Sequence, residues 1–304
     1  MIENKKKKGG MSAATRRDFL FMLAIFILPA IQYAIETVWI KIDTIILAFN
    51  NYTGDIDDGY RTFAGFYNIK EVLDFMFNDS LFLLMLKNNF LRWIVPLPLT
   101  FFEIIITYYM FRKFPGTSVF RTIMYIPMMT GAMASVLMSK FFVSFTLPSI
   151  LGLKEGLLND TTSAFWTLLI YGKLFALGGS ILGQLAVMNS TDQSTLEAGQ
   201  LDGVGFFGEL WHIVLPKSYK FIFLGIISGI GSIFTSEGGL IPYYGTNAPT
   251  DLWGIGYYTQ IGILEAEPSK YPYYAAFGVV QAIVLVPLSN GLRALMNKVG
   301  PSED

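Results

Sequence analysis

"EAGQLDGVGFFGELWHIVLP" (residues 197–216) is a mixed polar and apolar passage set between two of the most hydrophobic parts of the chain. Its residues specify a local structure. Ser194 with Glu197 three positions on has the form of a capping box, in which hydroxyl and carboxylate satisfy the first free N–H groups of a helix. The spacing predicts a short helix over residues 195–201, started by that box. Asp202-Gly203 is a turn signal that ends it. A second helix is expected from Phe206 to Val214, with Pro216 ahead of the next membrane segment. The pair leaves Leu196, Leu201, Phe206, Phe207, Leu210 and Trp211 with apolar surface that a short loop cannot bury alone. Lipid headgroups would cover it if the stretch is an amphipathic connector; a partner protein would cover it otherwise.

The flanks of this stretch are those of a membrane protein. Of 304 residues, 53% are hydrophobic and 15% charged, and 26 are Phe. Soluble domains run nearer 45–50% apolar and about 25% charged. Six segments have roughly the 17–25 residues that cross about 30 Å of hydrocarbon: 19–35, 91–111, 121–143, 163–188, 219–236 and 273–296. Lipid offers no partner to backbone N–H and C=O groups, so each is expected to be a helix, and no run alternates with the period of a barrel strand. Residues 19–35 follow a basic region, as a signal peptide would, but the stretch is long for one and no small-residue cleavage site closes it.

Basic residues set the expected orientation. Lys5 to Lys8, Arg16, Arg17, Arg112, Lys113, Arg121, Lys217, Lys220, Arg293 and Lys298 fall on one side, which is read as cytoplasmic, with both termini. Asp55, Asp57, Asp58, Glu71, Asp74, Asp79, Asp251, Glu265 and Glu267 fall on the other. The expected organisation is a cytoplasmic tail (1–18), a membrane domain (19–297) and a second short tail (298–304). Within the domain, 36–89 is extracytoplasmic and 189–218 is a cytoplasmic loop. The outer segment contains a turn, "YTGDIDDGY" (52–60), and an amphipathic run over 68–89 read as an interfacial helix. The last outer segment offers a short helix in "DLWGIGYYTQIGIL" (251–264).

Several chemistries are excluded. There is no Cys, hence no disulfide, Cys–metal site or Cys nucleophile, and His212 alone makes no multi-His metal site. A net charge of −1 attracts no nucleic acid. No G-x-x-x-x-G-K-[ST] run occurs, so the chain has no P-loop.

Two ionisable residues lie inside expected spans, Glu103 and Lys173. A charge at mid-membrane costs at least about 2.5–3.5 kcal/mol, so each must face protein or water. They either pair with each other, or Lys173 lines a solute path. Gly179 with Gly183 and Gly225 with Gly229 have the G-x-x-x-G spacing that lets helices approach closely. Around them, Tyr171, Lys173, Ser180, Ser228, Ser232, Thr235 and Ser236 are the polar groups available to solute hydroxyls.

The spacing in residues 197–216 resembles the EAA signature of bacterial ABC importer permeases: E-A-A, three residues, G, nine residues, I-x-L-P. Glu197, Ala198, Asp202, Gly203, Leu210, Ile213, Leu215 and Pro216 fall on it. Gly199 stands for the third Ala, Val204 for an Ala and Leu210 for the usual Phe. "FILPAIQYAIETVWIKIDTIILAFNNYTG", "FRTIMYIPMMTGAMASVLMSKFF" and "KYPYYAAFGVVQAIVLV" are similar to the first, third and last helices of the sugar-transporter branch, in particular the larger maltose-type permease subunit. The resemblance implies an all-α, six-span type I ABC importer permease in the bacterial plasma membrane. It implies a solute path between the fourth and fifth helices, and a coupling loop at Glu197–Pro216 that docks on an ATPase. It further implies a heterodimer with a second, homologous permease, two ATPase subunits that carry ATP and Mg, an extracytoplasmic solute-binding protein, and no cofactor or enzymatic activity on this chain. Sugar is the expected solute; a peptide, an anion or an acidic glycan, which Lys173 would suit, is the alternative. An ion-coupled secondary transporter is the distant one.

Overall fold

The computed structural model describes residues 13–53, 61–130 and 132–300. The basic run Lys5 to Lys8, the tail end 301–304 and most of the 52–60 turn lie outside them.

The chain is almost wholly helical. The first span is α1 (Ala13–Tyr33), a π turn (Ala34–Trp39) and α2 (Ile40–Ala48) in one rod. A two-stranded antiparallel hairpin follows, β1 (Asn50–Tyr52) with β2 (Arg61–Phe63). Next come α3 (Tyr67–Asn78), α4 (Ser80–Ile94), α5 (Leu97–Phe111), α6 (Thr117–Met129), α7 (Ala132–Phe141), a second π turn (Phe142–Thr146), α8 (Leu147–Leu151) and α9 (Thr161–Met188). The expected loop is α10 (Gln193–Leu201), then α11 (Phe206–Glu209), a third π turn (Leu210–Val214) and α12 (Leu215–Thr235). The remainder is α13 (Leu240–Tyr244), α14 (Ile255–Glu265), which is the short helix expected in the last outer segment, and α15 (Tyr271–Val299).

Six helical stretches among the described residues are long and apolar enough to cross a membrane: Arg17–Ala48, Ser80–Phe111, Ala134–Leu151, Thr161–Met188, Phe206–Thr235 and Pro268–Lys298. Their number is the expected one; several ends are not. The first does not stop near Ile35. Lys41 and Asp43 interrupt the apolar run, but the Asp43 carboxylate takes both guanidinium nitrogens of Arg61 on β2, at 2.5 and 2.9 Å, so the helix continues. The second starts at Ser80 rather than Leu91. Its Asn88 donates to the carbonyls of Asp251 and Trp253, and Asn89 to that of Ile233, so these amides are satisfied inside protein. Residues 68–89 are therefore two helices, α3 and α4, split at Asp79, whose carboxylate caps the second by accepting from the N–H of Leu81 at 2.8 Å. The 121–143 run is broken: α6 ends at Met129, Thr130 is extended, and α7 opens at Ala132.

Two prolines close the second and third π turns in the same way. Pro148 and Pro216 each stand two residues past one, at the start of α8 and α12. A proline has no N–H and its ring crowds the carbonyl four residues back. The wider turn absorbs that defect without ending the helix. Pro216 accordingly does not separate the loop from the fifth span, and the helix runs unbroken from Phe206 to Thr235.

Large apolar side chains such as Phe26, Leu28, Leu137 and Ile283 point outward along the spans, as a lipid-facing surface requires. Buried side chains gather in separate clusters. Ala48, Val72, Phe82, Met85 and Phe277 form one where α2, α3, α4 and α15 meet. Met110, Leu177, Ile181 and Leu185 join α5 to α9. Ile104, Tyr108, Met188, Leu196, Leu210 and Val214 form the one that holds the loop.

Candidate functional site

The loop is built on a helix end that differs from the expected one. Asp192 occupies the N-cap and α10 begins at Gln193, so Ser194 and Glu197 are interior positions. The capping box does not form, and the expectation that Glu197 caps this helix is corrected. Glu197 stands two residues past the position that could reach back; it is exposed and accepts from the amide of Gln193 at 3.1 Å. The C-terminal end is as read. Gly203 has φ 76°, its N–H donates to Gln200 O at 3.1 Å, and the N–H of Val204 donates to Gly199 O at 3.0 Å. That is a Schellman closure, which needs a left-handed residue at the Gly203 position.

Gly199 also has a packing reason. A Cβ there would stand 2.6 Å from Cδ1 of Ile213, so two residues of the signature meet directly. Ala198 and Asp202 are exposed, and Leu215 and Pro216 are half-buried at the start of α12.

The apolar residues of the stretch divide in two. Leu196 and Leu210 are buried against α5 and the end of α9, with Phe206 beside them, its ring 4.7 Å from that of Tyr108. Leu201, Phe207 and Trp211 remain 89%, 68% and 58% exposed. The chain thus buries half of the face that was expected to need a partner and presents the other half outward.

One functional group was not singled out in the sequence. Glu209 is 3% exposed. Its Oε1 accepts from the Tyr108 hydroxyl at 2.8 Å and lies 3.2 Å from Nη1 of Arg112. The guanidinium also faces the Gln200 amide, whose oxygen accepts at 3.0 and 3.2 Å when the amide is oriented toward it. An acid within the otherwise apolar 204–214 stretch was the available signal.

A cavity of about 630 Å³ lies between α4, α5, α9 and α12. Lys173, Ser180, Ser232 and Ser236 line it, and so do Arg92, Glu103, Gln184 and Tyr243. Tyr171, Ser228 and Thr235 are not on its wall. Tyr171 stacks on Phe142 instead, with 6.1 Å between centroids, and Thr235 donates to Gly231 O of its own helix. Lys173 Nζ lies 3.0 Å from Glu103 Oε2, and Glu103 is 1% exposed. Its other oxygen, Oε1, has no partner. Arg92 lies over the Phe165 ring at 5.1 Å and donates to Leu252 O at 2.5 Å.

The glycine pairs serve different ends. A Cβ at Gly183 would meet the Phe221 ring at 2.5 Å, and one at Gly229 would meet Trp93 at 2.9 Å. Gly225 faces open space on the cavity wall.

Six apolar spans, four helices of which enclose a cavity with a few charged and polar groups on its wall, and a two-helix loop at one end are the architecture of a multi-pass membrane protein. No protein-family model matches the chain. It is 24% identical to Protein LplB of Bacillus subtilis (strain 168), over 95% of this chain and 91% of that protein. It is likewise 24% identical to the polygalacturonan/rhamnogalacturonan transport system permease protein YteP of the same organism, over 99% and 95%. In three dimensions it superposes on a chain of a bacterial alginate ABC transporter, crystallised with an alginate-pentasaccharide-bound periplasmic protein. The TM-score is 0.73 at 18% identity, over 95% of this chain and 98% of that one. The resemblance read from the loop is borne out: the chain is a relative of proteins named as ABC transporter permeases and has the fold of an ABC importer permease.

Proposed function

We propose that this chain is the membrane-spanning subunit of an ATP-driven, binding-protein-dependent importer of oligosaccharides, working by alternating access. The observation that carries the reading is the loop at 193–216. One face is fastened to α5 and α9, while Leu201, Phe207 and Trp211 stand out as an apolar ridge at the end of the bundle. In this reading the ridge seats in a cleft of an ATPase subunit that carries ATP and Mg. Two such subunits, a second homologous permease and an extracytoplasmic solute-binding protein complete the transporter. Glu197, Ala198, Gly199, Asp202, Gly203, Leu210, Ile213, Leu215 and Pro216 form the coupling loop. The cavity is the solute path, with Lys173, Ser180, Ser232 and Ser236 on its wall. Residues 19–297 form the permease domain, with the segment between the first two spans, 49–79, outside, and 189–218 and both tails cytoplasmic.

The oligosaccharide assignment rests on the relatives, one named for polygalacturonan and rhamnogalacturonan and one for alginate. A specific feature favours an acidic glycan among these. Arg92 and Lys173 both line the cavity against the single carboxylate of Glu103, which leaves one positive charge over for a uronate.

Affinity capture of the tagged chain from its native membrane tests the reading. A P-loop ATPase and a second permease should come with it, and the ATPase should be lost from Phe207→Ala/Trp211→Ala. Recovery without any ATPase favours a secondary transporter. Thermal shift of the co-captured binding protein across neutral and uronate oligosaccharides identifies the solute.

A further inference from the structure

The Glu209 cluster is larger than a staple for one helix. Arg112 is the residue that ends α5. Its guanidinium reaches Gln200 on α10 and Glu209 on α11, and Tyr108, one turn earlier on α5, donates to the same Glu209 oxygen. Three elements therefore converge on one guanidinium: both helices of the loop and the cytoplasmic-side end of α5. Glu209 is buried, so the contact is little screened by solvent. Removing the guanidinium would leave the Glu209 carboxylate in a site that water barely reaches, whereas the Arg112 side chain is 31% exposed.

The same α5 carries Glu103, nine residues earlier, or about 13 Å along a helix at 1.5 Å per residue. Glu103 makes the ion pair to Lys173 at the cavity. Between the two sites Thr107 donates to the Gln184 amide of α9 at 3.2 Å, and Gln184 also lines the cavity. One rigid element thus bears the loop's anchor at its end and, on its opposite face, a polar contact to the cavity wall in its middle.

We infer that Arg112 is a positioning residue for coupling. Through Glu209, Tyr108 and Gln200 it makes the loop and α5 move as one body, so that displacement of the loop is delivered to the Glu103–Lys173 pair. The inference rests on the transporter reading above. None of these four residues lies on the exposed ridge, so the anchor is separate from the surface that would seat in the ATPase.

The test is the number of ATP hydrolysed per solute imported, measured on the complete transporter in proteoliposomes. Arg112→Gln should keep the ATPases bound and hydrolysis running, while the ATP used per solute rises at least about fivefold, the low end of coupling between sites. The exchanged pair Arg112→Glu/Glu209→Arg should bring the ratio back toward wild type. A ratio unchanged in Arg112→Gln, with uptake and hydrolysis falling together or not at all, overturns the inference and leaves a purely structural tie. If Arg112→Gln does not assemble, Tyr108→Phe decides the matter. It keeps both charges, and an unchanged ratio there is equally fatal. Wild-type vesicles that show no solute-stimulated hydrolysis would instead overturn the transporter reading, and the inference with it.

Discussion

Replacing Lys173 by Met isolates the intramembrane ion pair. At 3.0 Å and an effective dielectric near 20, the attraction between the two charges is about 5 kcal/mol, most of it offset by the desolvation of both. The two partners are not equally placed. Glu103 is buried and one of its oxygens already lacks a donor, whereas the Lys173 side chain is 21% exposed toward the cavity. Lys173→Met strands a carboxylate and should cost about 3–5 kcal/mol, the range for breaking a buried pair. Glu103→Gln strands an ammonium that cavity water can reach, and should cost less, about 1–3 kcal/mol on the scale for a group left unsatisfied. The double variant should return close to wild type. Unfolding of the detergent-solubilised chain, followed by tryptophan fluorescence, measures all four corners of the cycle. The expected coupling energy is about 4 kcal/mol or more, the sum of the two single losses. Single losses that add to within about 0.5 kcal/mol would refute the reasoning, since independent sites add to that tolerance.

Gly203→Val places a β-branched residue at φ 76°, at a cost of about 1–3 kcal/mol, and should abolish uptake while the chain still inserts, as membrane fractionation with a transport assay will show. Phe207→Ala/Trp211→Ala removes side chains that the chain itself does not bury, so its thermal midpoint should shift little while ATPase subunits dissociate during purification. Because the chain contains no Cys, single cysteines report sidedness: Phe63→Cys on the exposed hairpin should react with an impermeant maleimide in intact cells, and Leu201→Cys only after lysis. Gly183→Leu should weaken the contact of α9 with α12, because its side chain would enter the Phe221 ring, and should lower folded yield more than Gly225→Leu, which points into open space.

The number of spans and the loop were legible because both depend on local signals. Long apolar runs are unambiguous in a bilayer, and Asp202-Gly203 demands the conformation that the chain adopts. What escaped the reading was decided by partners distant in sequence. Hydropathy ends the first span at Ile35 and begins the second at Leu91, which leaves the polar Lys41, Asp43, Asn88 and Asn89 outside both. They are interior positions, since Arg61 and the backbone of residues 233–253 satisfy the aspartate and the two amides. The capping box failed for a different reason: α10 opens at Gln193, ahead of Ser194, and its N-cap residue Asp192 makes no side-chain cap bond. Of the polar residues proposed for the path, four line the cavity and Tyr171, Ser228 and Thr235 do not, because helical phase was not fixed by hydropathy alone. Arg92 and Glu209 were passed over. The first sat where an end was expected, and the second lies in the motif at a position the signature does not specify.

The π turn at Leu210–Val214 sets a phase relation between two halves of one rod. Each residue of an α-helix advances the azimuth by about 100°, and a π turn holds one residue more than the helix around it. The wide turn takes up that extra residue, so Phe207 and Trp211 keep the heading relative to Ser232 and Ser236 that an α-helix one residue shorter would give them. A one-residue deletion at 212–214 that closes the turn to α would therefore leave the outward ridge facing as it does, whereas the same deletion in the regular helix after Lys217 would turn the ridge by about 100° relative to the cavity wall. The junction is a slip ring: the chain can lose a residue there without changing how the ridge is aimed at its seat.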